Sequence, residues 1–291
     1  MSVLSSHPFV KMNGLGNEIV VVDMRRDPAP ITAADARSAA AGVPYDQLMA
    51  IYPPHNVHAE AFVHILNNDG SEAGACGNGM RCVADLLFKE SRKTSITVET
   101  RAGLLECWQG KAPLTSTIDM GLPRFRWDEI PLAEEFCDTR RIELTTSCPP
   151  DRPILRSPSV ANIGNPHAVF WVEDVDAYDL AKIGPLLENH PIFPDRANIS
   201  LAQVVSRQYL IVRTWERGAG LTRACGSAAC AAVVCASRNE LTDRRAAVRL
   251  PGGDLHIEWR EDDHVLMTGP IEYEFEGRFD AALFEAAGTA R

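Results

Sequence analysis

The sequence predicts an α/β fold of mixed α+β character, made of two pseudo-symmetric halves, and three observations lead there. Four short segments recur in order about half a chain apart. Strand-like runs punctuate both halves. Each half also holds one helix-like run that starts just after a cysteine. The repeat comes first, because overlooking one misassigns a whole fold. GLGN at 14–17 is echoed by IGN at 163–165, which sets Asn17 and Asn165 148 positions apart. ACG at 75–77 returns at 224–226, an offset of 149. ITVETRAGLL (96–105) resembles AVRLPGGDLH (247–256) with Val98 and Val248 150 apart, and IDMGLP (118–123) resembles VLMTGP (265–270) with Met120 and Met267 147 apart. One such match arises by chance; four in order at a near-constant offset do not. The expected halves are residues 1–125 with 269–291, carrying Cys76, and residues 126–268, carrying Cys225. FRWDEIPLAEEF at 125–136 is expected to connect them.

The second observation is the strand pattern. NEIVVVD, AFVHILNN, SITVETR and STIDMG in the first half are short, rich in β-branched residues and bounded by turn formers. HAVFWV, SLAQVVS, QYLIVRTWE, AAVRL and LHIEW do the same in the second. The third is the pair of helices. GMRCVADLLFKES repeats its apolar residues (Met80, Val83, Leu87) at helical spacing. SAACAAVVCASRNE is small and apolar enough to be buried on nearly every side.

Composition narrows the function. The chain of 291 residues has 45% hydrophobic and 23% charged residues, as a globular protein does. A formal charge of −10 argues against nucleic acid as a partner, since phosphate binding needs a basic surface. No apolar run is long enough to span a bilayer, and the N-terminal residues lack the features of a secretory signal, so a cytoplasmic home and no membrane partner are expected. The eight cysteines are then expected to be reduced. No CxxC or zinc-finger spacing occurs among them, so no metal is expected. Cys82, Cys230 and Cys235 fall inside the helices and Cys107 in a strand, as small buried hydrophobes do. Cys137 and Cys148 fall in loop regions and carry no role.

Cys76 and Cys225 remain, each between glycine-rich flanks at a helix start. A helix N-terminus exposes unpaired amides and a partial positive charge. A carboxylate can dock there, on Gly77-Asn78 or Gly226-Ser227, and a cysteine there is expected to have its pKa lowered toward neutrality. If the halves face each other about a pseudo-two-fold axis, the thiols flank one α-carbon. One then takes the α-proton and the other returns a proton to the opposite face. A lone glycine-flanked cysteine is usually structural; the matched pair is what favours chemistry.

The motifs KMNGLGNE, YDQL, NNDGSEAGACGNGMRC, NIGNPHAV, ANISLAQV and WERGAGLTRACGSAACAA, which span most of the chain, resemble those of the diaminopimelate epimerases. That resemblance implies two similar halves, each a mixed, mostly antiparallel sheet wrapped around a central helix, and a homodimer acting on a small-molecule substrate, diaminopimelate, without a cofactor. It implies Cys76 and Cys225 as the acid/base pair, and LL- to meso-diaminopimelate epimerisation in lysine and peptidoglycan precursor biosynthesis. It further implies substrate binding by Asn17, Gln47, Asn67, Gly77, Asn78, Asn165, Asn198, Glu216, Arg217, Gly226 and Ser227. His167 and Glu216 would adjust the cysteine pKa values. The residue types suit a substrate with two carboxylates and two ammonium groups: Arg217 can grip a remote carboxylate with two hydrogen bonds, and Glu216 can hold an ammonium.

Read without the resemblance, asparagines beside glycine are turn formers, and Glu216 and Arg217 are a surface pair. The chain departs from the family pattern at Asn13, where a histidine is common, at Leu221, where glutamate is, and at Ser227-Ala228, where Thr-Gly is usual. The Ala228 change bears on the shape of that loop. Three other readings compete. A proline or hydroxyproline racemase would have no use for Arg217, and an amino-acid-binding protein would need the amides but not both thiols. A pyridoxal enzyme would need a Schiff-base lysine, and none of the five lysines sits in such a motif.

Overall fold

The structure, a computed structural model, describes residues 2–74, 76–144 and 155–285. These residues cluster into two compact units, one drawn from Met1–Ile118 and Gly269–Arg291 and the other from Asp119–Thr268. Cys148 lies outside the described residues.

The first unit contains strands β1 (Pro8–Asn13), β2 (Glu18–Asp23), β3 (Gln47–Tyr52), β4 (Ala61–Asn67), β5 (Glu72–Ala73), β6 (Ser95–Thr100), β7 (Gly103–Gln109) and β8 (Thr115–Asp119). β1 pairs antiparallel with β2, β2 parallel with β3, β3 antiparallel with β4 and β4 parallel with β6. β6, β7 and β8 continue as an antiparallel meander, and the short β5 folds back on the end of β4. The second unit contains β9 (Ser159–Asn162), β10 (Pro166–Trp171), β11 (Asn198–Ser206), β12 (Tyr209–Glu216), β13 (Gly220–Leu221), β14 (Arg245–Leu250), β15 (Gly253–Trp259) and β16 (Val265–Pro270). Its steps are the same: antiparallel β9–β10, parallel β10–β11, antiparallel β11–β12, parallel β12–β14, then an antiparallel meander through β16, with β13 folded back on β12. β17 (Glu272–Arg278) adds an antiparallel strand beside β1. The sequence repeat is therefore a repeat of topology, and the sheets are mixed and mostly antiparallel.

Parallel neighbours need a crossover connection, and each unit makes two. The first crossover carries α1 (Ala33–Gly42) in one unit and α3 (Leu180–Glu188) in the other. The second carries α2 (Gly77–Ser91) and α4 (Gly226–Arg238), the two helices the sequence marks. α2 packs against β1, β2, β3, β6 and β7, while α4 packs against β9, β10, β11, β12, β14 and β15. From Ala228 to Ala236 no residue of α4 has any exposed surface. The run of Ala, Cys and Val there lets strands close on it from every side, where longer side chains would hold them off. α2 is less uniform: Arg81 is fully buried, and the buried Asp85 accepts a hydrogen bond from Tyr273 Oη at 2.7 Å.

Neither α1 nor α3 stands out in the sequence. α1 is alanine-rich with only Ala36 and Ala39 buried, so its apolar stripe is faint; Thr32 and Asp35 start it with a reciprocal capping box. α3 hides behind Gly184-Pro185, a pair that reads as a breaker. The stretch 125–136, expected as a connection, is built into the second unit instead, because Ile130 and Leu132 are buried in its core with Leu155, Phe170 and Leu201.

The close packing of α4 has a measurable consequence. Ala232→Leu adds three carbons where no free surface exists, and overpacking of this kind costs about 1–3 kcal/mol. Equilibrium urea unfolding should show a lower midpoint with an unchanged slope; an unchanged midpoint would mean that the strands around α4 are looser than described.

Candidate active site

Both cysteines are N-caps. Cys76 precedes α2 with extended backbone (φ −148°, ψ 97°), and Cys225 precedes α4 the same way (φ −124°, ψ 110°). In each unit the polar residues that the sequence marks come from the same three places: the loop before the second strand, the third strand's start, and the end of the fourth strand. The first unit supplies Asn17, Gln47 and Asn67 from these places, and the second supplies Asn165, Asn198 and Glu216. Strand register holds them together, since Gln47 lies opposite Asn67 and His167 opposite Asn198.

In the first unit the half-buried Cys76 Sγ accepts the Gly79 amide at 3.3 Å and lies 3.7 Å from both Asn17 Oδ1 and Gln47 Oε1. The sulfur accepts the Gly79 amide in either protonation state, and as a thiol it can also donate to one of the amide oxygens. The two amide side chains are themselves oriented. Asn17 Nδ2 donates to Asp46 Oδ2 at 2.8 Å, and the same oxygen accepts the Glu18 amide at 2.8 Å. Gln47 Nε2 donates to Asn67 Oδ1 at 3.2 Å, and Asn67 Nδ2 to Ser71 Oγ at 3.0 Å. Asn78, in the first turn of α2, is buried and accepts from Arg81 Nη1 at 3.0 Å. Gly14 has a backbone reason to be glycine, since a Cβ there would sit 2.9 Å from Asn78 O. Asn13, one of the departures from the family pattern, accepts the Gly16 amide at 2.6 Å and so clips the loop that carries Asn17.

In the second unit Cys225 is buried, with Ser227 Oγ 3.5 Å from its sulfur. Burial pushes its pKa well up, the negative charge of Glu216 raises it further, and the Ser227 hydroxyl only partly offsets them. This corrects the expectation that a helix start lowers the pKa of both cysteines: at Cys225, desolvation and a neighbouring carboxylate outweigh the helix dipole, and the group is a thiol at neutral pH. Thr222 Oγ1 donates to Glu216 Oε1 and orients that carboxylate. The Arg217 amide donates to Asn198 Oδ1 at 3.0 Å, and its Nη1 to the Asp195 carbonyl at 2.9 Å. Asn198 Nδ2 donates to the Pro166 carbonyl at 2.9 Å.

His167 is fully buried, and burial, with the positive charge of Arg217, lowers its pKa from 6.5 to about 3. The ring is therefore neutral. Its Nε2 faces Asn165 Oδ1 at 2.7 Å, which assigns the proton to Nε2 and leaves Nδ1 a buried acceptor without a hydrogen bond among the described residues. Such a ring can accept a hydrogen bond but cannot lend positive charge to a thiolate. Ala228 has helical backbone and no exposed surface, so glycine is not needed there. Leu221 is half exposed on β13.

Asp46 and Thr222 were not singled out in the sequence although both lie inside quoted motifs; only their contacts show that they aim Asn17 and Glu216. Among the described residues no cluster of His, Cys, Asp and Glu could hold a metal ion. The other helix cysteines behave as core, with burial pushing Cys82 and Cys235 up to about 12.

Comparison with known proteins agrees over nearly the whole chain. The diaminopimelate epimerase family model matches residues 9–125 and 159–274. A diaminopimelate epimerase of Rhodopseudomonas palustris (strain TIE-1) is 64% identical over 288 residues, covering 99% of this chain and 98% of that protein. One of Afipia carboxidovorans is 63% identical over 289 residues, covering 98% and 99%. Among solved structures, a hydroxyproline epimerase from Agrobacterium vitis has a TM-score of 0.68 at 15% identity, covering 94% of this chain and 92% of that one. A PhzF-family phenazine biosynthesis protein of Bacillus anthracis has a TM-score of 0.66 at 14% identity, covering 94% and 98%. At that identity the two structures speak for the fold alone.

The buried histidine makes stability depend on pH. Its pKa falls on folding from 6.5 to about 3, so the unfolded chain binds the extra proton. Its contribution is complete above 6.5 and is lost as pH falls from there toward about 3. The loss approaches about 1.4 kcal/mol per pH unit. His167→Gln should flatten the fall in urea midpoint between about pH 6 and pH 4; an equally steep fall in the variant would assign the acid sensitivity elsewhere.

Proposed function

The chain belongs to the diaminopimelate epimerase family, and we propose that it interconverts LL- and meso-diaminopimelate by a two-base mechanism without a cofactor, in lysine and peptidoglycan precursor biosynthesis. The observation that carries the reading is the pair of cysteines occupying the same slot, the N-cap of the central helix, in two units of the same topology. On the family resemblance, the working form is a homodimer in the cytoplasm.

The chemistry follows from the cysteine environments. One sulfur, as thiolate, takes the α-hydrogen as a proton and becomes a thiol. The other, as thiol, gives its proton to the opposite face of the carbanion and becomes a thiolate. Cys225 is held as a thiol by burial and by Glu216, which suits it to be the proton donor in one direction, with Cys76 as the base. Cys76 keeps the Gly79 amide as a donor in both of its forms and, once it has taken a proton, can donate that hydrogen to an amide oxygen. The substrate carboxylate next to the reacting carbon would dock on the first-turn amides at Gly77-Asn78 and Gly226-Ser227, where negative charge developing on it is stabilised by fixed dipoles. Arg217 and Glu216 suit a carboxylate and an ammonium, while Asn17, Gln47, Asn67, Asn165 and Asn198 supply neutral donors and acceptors. His167, a neutral acceptor, suits an ammonium or a thiol hydrogen.

Incubation with LL-diaminopimelate in D₂O, with no added cofactor, should give meso product carrying deuterium at the inverted carbon. Cys76→Ala and Cys225→Ala should each lose at least about 10²–10⁴ in turnover, the span that a positioned acid or base contributes, with an unchanged circular dichroism spectrum. Exchange with proline or hydroxyproline and none with diaminopimelate would reassign the substrate. Turnover surviving either single substitution would remove the two-thiol mechanism.

A further inference from the structure

The turn that carries Glu216 and Arg217 is held by a carboxylate at the end of α3. Glu188, the last residue of α3, is buried. Its Oε2 accepts the Trp215 indole N–H at 2.7 Å, and its Oε1 accepts the Gly218 amide at 2.9 Å and Arg196 Nη1 at 3.0 Å. Trp215 and Gly218 are the residues on either side of Glu216 and Arg217. The carboxylate therefore grips the turn by its two shoulders and leaves the two charged side chains between them. α3 is drawn close for this purpose: a Cβ on Gly184 would stand 2.5 Å from Trp215 Cγ. The turn itself closes with the Ala219 amide on the Glu216 carbonyl at 3.1 Å, and Gly218 has φ +78°, a left-handed backbone suited to glycine.

We infer that Glu188 is a positioning residue for the Glu216–Arg217 turn, setting how those two side chains are presented to the substrate. The assignment to substrate recognition rests on the function proposed above; the positioning of the turn does not. The corresponding turn of the first unit explains the difference in means. There Asn67–Gly70 is closed by the Gly70 amide on the Asn67 carbonyl at 2.9 Å, and short polar side chains clip it, with Asn67 on Ser71 at 3.0 Å and Ser71 on Asp69 at 2.6 Å. That turn presents neutral amides. The second turn presents a carboxylate and a guanidinium, whose long side chains have many rotamers, so a fixed backbone limits where they can reach. Three donors converge on the two oxygens of Glu188. A glutamine of the same size would turn its NH₂ toward at least one of them and break that contact.

The test is Glu188→Gln beside Trp215→Phe, which removes the indole N–H and keeps an aromatic ring. Glu188→Gln should raise the KM for LL-diaminopimelate at least about tenfold while kcat falls less, because the turn that grips substrate is loosened and the cysteines are not touched. Trp215→Phe should raise KM in the same direction by a smaller factor. Amide hydrogen exchange, read by mass spectrometry on peptides covering residues 216–220, should quicken at least about tenfold in Glu188→Gln without substrate. Unchanged exchange in that turn overturns the inference whatever the kinetics. A kcat loss matching only the unfolded fraction, with KM unchanged, overturns the link to recognition. Should the unaltered enzyme fail to act on diaminopimelate, the proposed function falls, and the exchange measurement alone still decides whether Glu188 fixes the turn.

Discussion

Everything about the candidate site depends on where two helices begin. α2 and α4 each start at a cysteine whose backbone is still extended, a few residues after a short strand that folds back on its neighbour. The parallel crossover fixes that start, because the chain must leave one strand, cross the sheet as a helix and return beside the same strand. The first-turn amides, which have no partner within the helix itself, start from that point. Were either helix to start one residue later, its sulfur would leave the cap position and the amides would point elsewhere.

The shared plan of the two units makes their differences informative. Asn17 and Asn165, Gln47 and Asn198, and Asn67 and Glu216 hold matching places, yet the first set is neutral throughout. The second unit adds Glu216, Arg217 and the buried, neutral His167. The first unit thus carries a neutral version of the shared scaffold and the second a charged one. Glu188 fits this division, since only the charged turn has to hold long side chains in place.

The reversal at Cys225 is a matter of magnitudes. A helix N-terminus is worth up to about 2 kcal/mol to a negative charge in a favourable, partly buried geometry. Full burial disfavours the thiolate more strongly than that, and a carboxylate beside the sulfur adds to it. Desolvation wins, and Cys225 is held as a thiol. The half-buried Cys76 is less desolvated, and its sulfur accepts the Gly79 amide.

By itself the sequence determined the doubling of the fold, the two central helices and the two cysteines, because repeats, apolar periodicity and a glycine-flanked thiol are local patterns that survive without coordinates. The quoted motifs also contained the residues around each sulfur. The tertiary structure decided what locality hides. α1 and α3 carry too little periodic apolar surface, or too strong a breaker, to be seen in the chain, and they exist because strands need crossovers. The segment 125–136 joined a core because Ile130 and Leu132 found partners far away in sequence. Asp46, Thr222 and Glu188 acquired their tasks only through side chains that meet across loops. The protonation of Cys225 and His167 was decided by burial, which is a property of everything packed around a residue and of nothing in its immediate neighbours.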